Sequence, residues 1–456
     1  PVLRAQHLDR AEDERAPLAY LDAALTQRAA YFTEAAFRLV ERGLQIAQKD
    51  TDRYALTCFK GELQRDLGDI PGSIATYRAA VATAPNEADL CQCQLGLAEG
   101  LRVCEGLAEA LPLLDAAQQV AERLGKVPEL ARLHHLRGNI LFPLGRIEDC
   151  RTEHERGLAY ARQLGIPEAE ARALGGLADA AYAQGRMRTA FEHFSRCVAL
   201  SREHGFGRIE VANRSMAGFS RIFLNEACAA REDVSAAAYA AALVSQPRAQ
   251  MLCETLGVFA CYEMGDMPAT LAHLEREMQI IRQLGARRFE AQNMEMRARG
   301  LLDSGHRREA AELLRQALAI CREVGTQFSA PKAVSALSRA VEDDDERTRL
   351  LAEGADMLRR GAVGHNHLWF YRDAIEAMLS AGDAAGALHY ATALEDYTRV
   401  EPLPWAELFV RRGRALAHAK HDHSEGTRRE LERVRADLVE AGYSSYLPAI
   451  DAALAS

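Results

Sequence analysis

Glycine recurs through the middle of this chain at a fixed stride. One series occupies Gly145, Gly185, Gly265 and Gly305, each in a short turn such as Leu144-Gly145-Arg146, and the steps are 40, 80 and 40 residues. The vacant slot holds Asn225, the other residue type that tolerates positive φ. A second series runs half a period out of phase through Gly125, Gly165, Gly205, Gly285 and Gly325, with Ser245 in its vacant slot. A glycine just past a helix ends it in the left-handed conformation without a Cβ clash. Pro128 and Pro167 then stand at the start of the next helix, where a missing N–H costs nothing. Two series half a period apart predict two helices per 40-residue repeat, each roughly 16 residues or about 24 Å long.

The apolar pattern has the same period. Met187, Ala190, Phe191, Phe194 and Val198 form one helical stripe, and Ala310, Leu313, Leu314, Ala317 and Ile320 form another. No segment alternates β-branched residues with period two, so no sheet is expected. At 456 residues the chain exceeds the size at which a single core usually stops growing. Stacked repeats resolve that difficulty, because each pair needs only its neighbours. The predicted fold is all-α: a right-handed α-solenoid of about eleven antiparallel helix pairs. Residues 1–50 form N-terminal helices, 51–361 the repeat core, and 362–456 degenerate repeats with a cap.

Composition narrows the function classes. Hydrophobic residues make up 48% and charged residues 27%, which suits a folded chain rather than a disordered one. The net charge is −9 without a basic block, which argues against nucleic acid. Of 56 basic residues only five are lysine, as GC-rich bacterial coding would give. No apolar run approaches the roughly 18 residues of a membrane span; Ala236 to Val244 is too short. Ten cysteines are scattered, several at inward positions such as Cys150, Cys197 and Cys261, as expected of reduced thiols in a cytoplasmic protein. The chain opens at Pro1 rather than Met, as a piece excised from a longer protein would.

Residues 54–87 resemble one tetratricopeptide repeat, with Gly61, Tyr77, Ala80 and Pro85 at that family's glycine, aromatic, alanine and proline positions. Gly138 in the fourth pair, Ala190 and Phe194 in the fifth, and Ala310, Leu314 and Ala317 in the eighth fall in matching slots. The longer period, the missing early Trp and the loss of most terminal prolines depart from the family pattern. Long-period arrays of this kind resemble the C-terminal sensor regions of bacterial STAND-type ATPase regulators, linked to cyclase or LuxR-type modules. The stretch Gln6 to Asp13, followed by Ala19 to Ala24, resembles the segment joining such an ATPase to its repeats. The resemblance implies a protein- or peptide-binding sensor or scaffold that regulates a linked signalling module. An adaptor joining two proteins and a small-molecule receptor remain the alternatives.

Motifs for chemistry are absent: no GxxxxGK[ST] loop, no HExxH, no paired CxxC and no nucleophile elbow. No catalytic residue, cofactor or metal is therefore expected. Cys91 and Cys93 stand two apart on a helix and so on different faces. His134-His135, His365-x-His367 and His421-x-His423 supply too few ligands for a structural zinc. The acidic run Glu342 to Glu346 reads as a solvated loop.

A stacked array lines its concave face with the first helix of each pair. The family's groove positions then fall on Arg132, His135 and Asn139, on Arg172, Asp179 and Tyr182, on Phe219, Phe259 and Tyr262, on Gln292, Glu295 and Arg299, and on Arg339. Two readings stay open for the aromatic centre: anchors for a bound peptide, or side chains packed between adjacent pairs. For Asn139, Arg172, Asp179, Glu295 and Arg299 the second reading is a plain solvated surface.

Overall fold

The computed structural model describes residues 1–103, 106–326 and 328–455, and every regular element among them is a helix. They form two compact units, Pro1–Gly176 and Leu177–Ser456, with the boundary inside α10 (Pro167–Ala183).

In the first unit a short α1 (Val2–Arg10) precedes four pairs: α2 (Ala16–Ala29) with α3 (Thr33–Ile46), α4 (Asp50–Asp66) with α5 (Ile70–Ala82), α6 (Glu87–Val103) with α7 (Leu107–Arg123), and α8 (Val127–Leu141) with α9 (Ile147–Leu164). Members of a pair pack on each other, and the first helices α2, α4, α6 and α8 pack successively side by side. The stacking depends on one large ring meeting small residues on two neighbours. Tyr77 of α5 is buried, and a Cβ on Gly61 of its own pair or on Gly96 of the next would approach its ring to 2.6 or 2.2 Å. His154 of α9 is wedged the same way against Gly138 and Gly176, at 2.5 and 2.2 Å.

The second unit continues with α11 (Met187–His204), α12 (Gly207–Ile222), α13 (Ala227–Leu243), α14 (Pro247–Glu263), α15 (Met267–Leu284), α16 (Arg287–Asp303) and α17 (Arg307–Val324). There follow α18 (Ala330–Ala340), α19 (Asp344–Arg359), α20 (Gly364–Ala381), α21 (Ala384–Thr398), α22 (Pro404–Ala419), α23 (Glu425–Glu440) and α24 (Leu447–Ala455). The 40-residue stride governs the turns as expected. Asn225 and Ser245, in the two slots without glycine, adopt φ of 61° and 53°. The stride breaks after Gly325, whose φ and ψ of 107° and 131° lie outside the helical cap, and α18 has only 11 residues.

The acidic run corrects the sequence reading. Asp343 is the N-cap of α19, accepting from the Glu346 backbone N–H at 2.6 Å, and Asp344, Asp345 and Glu346 form the first turn. Negative side chains there face the positive end of the helix dipole.

In the second unit the C-terminal pairs dock onto earlier pairs at three points about one repeat apart. Gly364 lies so close to Gly185 that a Cβ would come within 2.2 Å of its backbone nitrogen. The Trp405 backbone N–H donates to Phe223 O at 3.4 Å. Ser444 Oγ donates to Met264 O at 2.6 Å. Each contact sets the start of a late element against the turn that follows α10, α12 or α14. The same register places Glu401 over the start of α11, where its Oε1 accepts from the Arg188 and Thr189 backbone N–H groups at 2.8 and 3.3 Å. The helix has no cap of its own at that end.

Candidate binding trough

Residues spaced i, i+3 or i+4, and i+7 on each first helix share one face, so a 40-residue stride lays them out in rows across neighbouring pairs. The two units fill those rows differently.

In the first unit the rows carry charge that is paired across helices and still reaches solvent. Arg28 of α2 holds Glu62 and Asp66 of α4 at 2.7 and 2.8 Å. Glu99 of α6 sits between Arg65 of α4, at 3.1 Å, and Arg132 of α8, at 2.8 Å. Burial opposes ionisation of Glu99, but Arg132 and Arg65 outweigh it and hold the carboxyl down at about 2. Arg132 keeps 33% of its side chain exposed and Glu99 25%. His135 and Asn139 are half-buried and meet at 3.0 Å, and burial drives the imidazole pKa far down, so the ring is neutral. Arg172 is exposed beside Glu168 at 2.8 Å. A separate cleft of about 320 Å³ between α7, α8 and α9 is lined by Arg137, Arg146 and Arg156, each already paired with a carboxylate.

In the second unit the rows are covered by the chain's own late helices. Phe219 and Phe259 meet edge to face at 5.6 Å, and Trp369 of α20 closes on Phe259 at 5.3 Å and on Tyr262 at 6.2 Å. Trp405 of α22 stands edge-on to Phe223 at 5.3 Å. Beneath these rings lies a fully buried charge cluster. Arg299 grips Asp373 with both terminal nitrogens, at 3.0 and 2.7 Å, and its Nε reaches Glu295. Lys332 Nζ lies 2.9 Å from Glu295 and 4.6 Å from the Phe259 ring centre. Arg372 lies 4.0 Å over Trp369 and donates to Glu263 at 2.8 Å. Burial would raise the Asp373 pKa, yet Arg299, Arg372 and Arg339 together hold it well below the usual range. Nearby Glu277 has only neutral partners in contact, Thr255 Oγ1 at 2.6 Å and Asn293 Nδ2 at 2.7 Å. Burial pushes its carboxyl up to about 7.

The predicted groove residues therefore divide. Arg132, His135, Asn139 and Arg172 line the first unit's partly exposed rows. Phe219, Phe259, Tyr262, Gln292, Glu295 and Arg299 are buried in the second unit, Tyr182 is buried beside His365 at 5.7 Å, and Arg339 reaches Asp303 at 3.2 Å. Asp179 is half-buried, and burial raises its carboxyl to about 7. Sequence reasoning missed Arg65 and Glu99 in the first unit, and Glu263, Lys332, Trp369, Arg372 and Asp373 in the second. A signal existed for the latter set: both tryptophans of the chain fall after residue 360, where the stride had lapsed. Cys91 and Cys93 are both buried. Cys91 Sγ contacts Ala117 O, and Cys93 Sγ lies 3.6 Å from Cys58 Sγ. Among the described residues no group of three metal-ligating side chains converges, and no helix is long and apolar enough to cross a membrane.

Residues 129–203 match the family model of the tetratricopeptide repeat. Within that stretch the sequence is similar to tetratricopeptide repeats. No curated protein sequence matches it. Solved structures with similar folds include a thermophilic tetratricopeptide protein of Thermus thermophilus, 20% identical over 45% of this chain and 100% of that one, with a TM-score of 0.36. A Rap protein complexed with Competence and Sporulation Factor is 12% identical over 86% and 98%, with a TM-score of 0.46. A signal-transduction STAND ATPase with a tetratricopeptide sensor, from Pyrococcus horikoshii, is 13% identical over 82% of this chain, with a TM-score of 0.43. This chain spans about half, 55%, of that protein's length.

Proposed function

We propose that this chain is a non-catalytic tetratricopeptide array that binds a protein or peptide partner and regulates a linked signalling module. One observation carries the reading: Arg132, Glu99, His135, Asn139 and Arg172 form a polar row along neighbouring helices that stays partly open to solvent. A row of prepaired charges with exposed edges suits recognition, because a partner can exchange surface ion pairs at little desolvation cost. The regulatory half rests on the N-terminal stretch that resembles an ATPase-to-repeat linker. The composition and reduced thiols fit a bacterial cytoplasm.

The test is affinity capture from the source organism's lysate with three baits: the wild-type chain, an Arg132→Gln/Arg172→Glu variant, and Arg151→Glu on the exposed face of α9 as a control. The reading expects one partner held by wild type and control and lost by the double variant. Equal capture by all three removes the trough from consideration. A partner that leaves the activity of the adjoining module unchanged removes the regulatory half and leaves the scaffold.

A further inference from the structure

Cys58 of α4 and Cys93 of α6 each stand three residues before a glycine that meets the Tyr77 ring, Gly61 and Gly96, so they occupy the same slot of successive pairs. Their sulfurs lie 3.6 Å apart, and the Tyr54 hydroxyl lies 2.6 Å from Cys93 Sγ. We propose that Cys58 and Cys93 are a redox-modification site, which a small neutral hydroperoxide oxidises to a disulfide that ties α4 to α6. The proposal goes beyond the trough reading and does not depend on it.

Three features carry it. The first is approach. Helices α4 and α6 pack directly on each other. The Tyr77 ring, wedged against Gly61 and Gly96, fixes their spacing one turn from the thiols. A disulfide holds its sulfurs about 2.05 Å apart, so about 1.5 Å remains to be closed. Among the described residues no group of three metal-ligating side chains forms here, which disfavours zinc as the pair's occupant. The second is the donor set. Tyr54 stands one turn before Cys58 on the same face of α4. Its hydroxyl also reaches Asp89 O at 2.6 Å, which holds it beside the pair. When Cys93 is a thiolate, the Cys58 S–H and the Tyr54 O–H can both donate to it. The Cys58 bond holds Cys93 below the usual thiol value, against the opposing effect of burial. The thiolate is the form that attacks a peroxide. The third is enclosure. Cys93 is fully buried and Cys58 keeps 7% of its surface exposed. The oxidant must then be small and uncharged, which admits hydrogen peroxide and excludes glutathione disulfide.

The Cys93 sulfur attacks one peroxide oxygen and the O–O bond breaks. Cys93 becomes a sulfenic acid, and the departing hydroxide leaves as water with the proton that Cys93 gave up. The Cys58 sulfur then attacks the sulfenic sulfur, the S–O bond breaks, and the second hydroxide leaves as water with the Cys58 proton. Two thiols give up two electrons, and one hydrogen peroxide becomes two waters. The new bond spans the α4–α6 contact that also carries Arg65 and Glu99, and fixes it.

The experiment treats the full chain with hydrogen peroxide, blocks the remaining thiols with iodoacetamide and maps the tryptic peptides by mass spectrometry. The proposal expects one dominant link, reversed by dithiothreitol, between the peptides that hold Cys58 and Cys93. Cys91 shares a tryptic peptide with Cys93, so Cys91→Ser should keep the link and Cys93→Ser should abolish it. Tyr54→Phe should slow its formation about fivefold, the worth of one hydrogen bond. Glutathione disulfide at the same concentration should leave both thiols free. The wild-type map decides the main point whether or not a variant folds, and circular-dichroism melts check the variants. Two results overturn the idea: peroxide modifies Cys228, exposed on α13, and leaves Cys58 and Cys93 as thiols, or the link survives in Cys93→Ser. A wild-type rate in Tyr54→Phe overturns the part given to the phenol, and faster oxidation by glutathione disulfide overturns the assignment of the oxidant.

Discussion

The two units solve the same problem, charge on the inward face of stacked helices, in opposite ways. In the first, Arg65, Glu99 and Arg132 form a shared chain at the edge of solvent. In the second, Arg299, Glu295, Asp373 and Lys332 are sealed beneath Trp369 with no exposed side-chain surface. A partly hydrated pair costs little to form and little to break. A sealed pair is worth less than its Coulomb energy because both ions are desolvated, but losing one member strands the other. The difference teaches that covering an array's inward face changes its charges from exchangeable contacts into structural commitments. Arg299→Ala sharpens this most. It leaves Asp373 and Glu295 without their main partner and should cost about 3–5 kcal/mol. Arg132→Ala should cost about 1 kcal/mol or less. Urea unfolding of the two variants, followed through tryptophan fluorescence and circular dichroism, checks the ratio. Comparable losses would break the comparison.

The carboxylates extend the contrast to pH. Glu99 is held down at about 2, so its contribution is present above the ordinary carboxylate value near 4.5 and is lost as pH falls toward 2. Glu277 is raised to about 7, so the folded chain binds a proton there that the unfolded chain releases above about 4.5. Its contribution is present below 4.5 and is lost as pH rises through 7. A shift of that size corresponds to about 3 kcal/mol between the two limits. Glu277→Gln should therefore stabilise the chain at pH 8 by up to that amount and flatten the profile between pH 4.5 and 7. Glu99→Gln should flatten it only below 4.5. Melting midpoints measured across pH 3 to 8 would show opposite slopes removed, and a shared slope would refute the assignment.

What was legible in the sequence follows from what repeats. The helix pairs, their stride, and even the left-handed turns at Asn225 and Ser245 could be read because each depends on neighbours 20 or 40 residues away. Phe219, Phe259 and Tyr262 could be read as inward-facing for the same reason. What they face could not, because Trp369 comes from a helix more than 100 residues later, in a stretch with no glycine phase to set its register. The Arg299–Asp373 pair spans 74 residues and the Glu401–Thr189 contact 212, separations that no periodicity encodes. Polar residues such as Glu263 and Arg372 carry no sequence signal of their burial, because a first helix shows only the burial against its own pair.

The Glu401 contact offers a smaller test of the docked arrangement. Its carboxylate accepts from two backbone N–H groups at the start of α11 and from Thr189 Oγ1 at 2.5 Å, supplying from afar the cap that the helix lacks. Removing a helix N-cap costs about 1 kcal/mol. Glu401→Ala should lower stability by about that much. Amide hydrogen exchange should speed up in the first turn of α11 and in the Thr398–Leu403 segment. The paired charges of the first unit serve as the internal reference, and faster exchange there as well would mean a global rather than a local effect.

The smallest effect tests the stride itself. Ser245 and Asn225 hold φ of 53° and 61° where other pairs use glycine. A left-handed conformation costs an ordinary residue about 1–2 kcal/mol, and asparagine, which visits that region more readily than serine, less. Glycine removes that cost but leaves the unfolded chain freer, which offsets about half of the gain. Ser245→Gly should therefore stabilise the second unit by about 0.5–1 kcal/mol, and Asn225→Gly by less. The order of the two matters more than their size. If Asn225→Gly gained more, the turn would be held by contacts of the Ser245 side chain rather than by the backbone requirement that the glycine phase encodes. Differential scanning calorimetry of the two variants against wild type resolves that order.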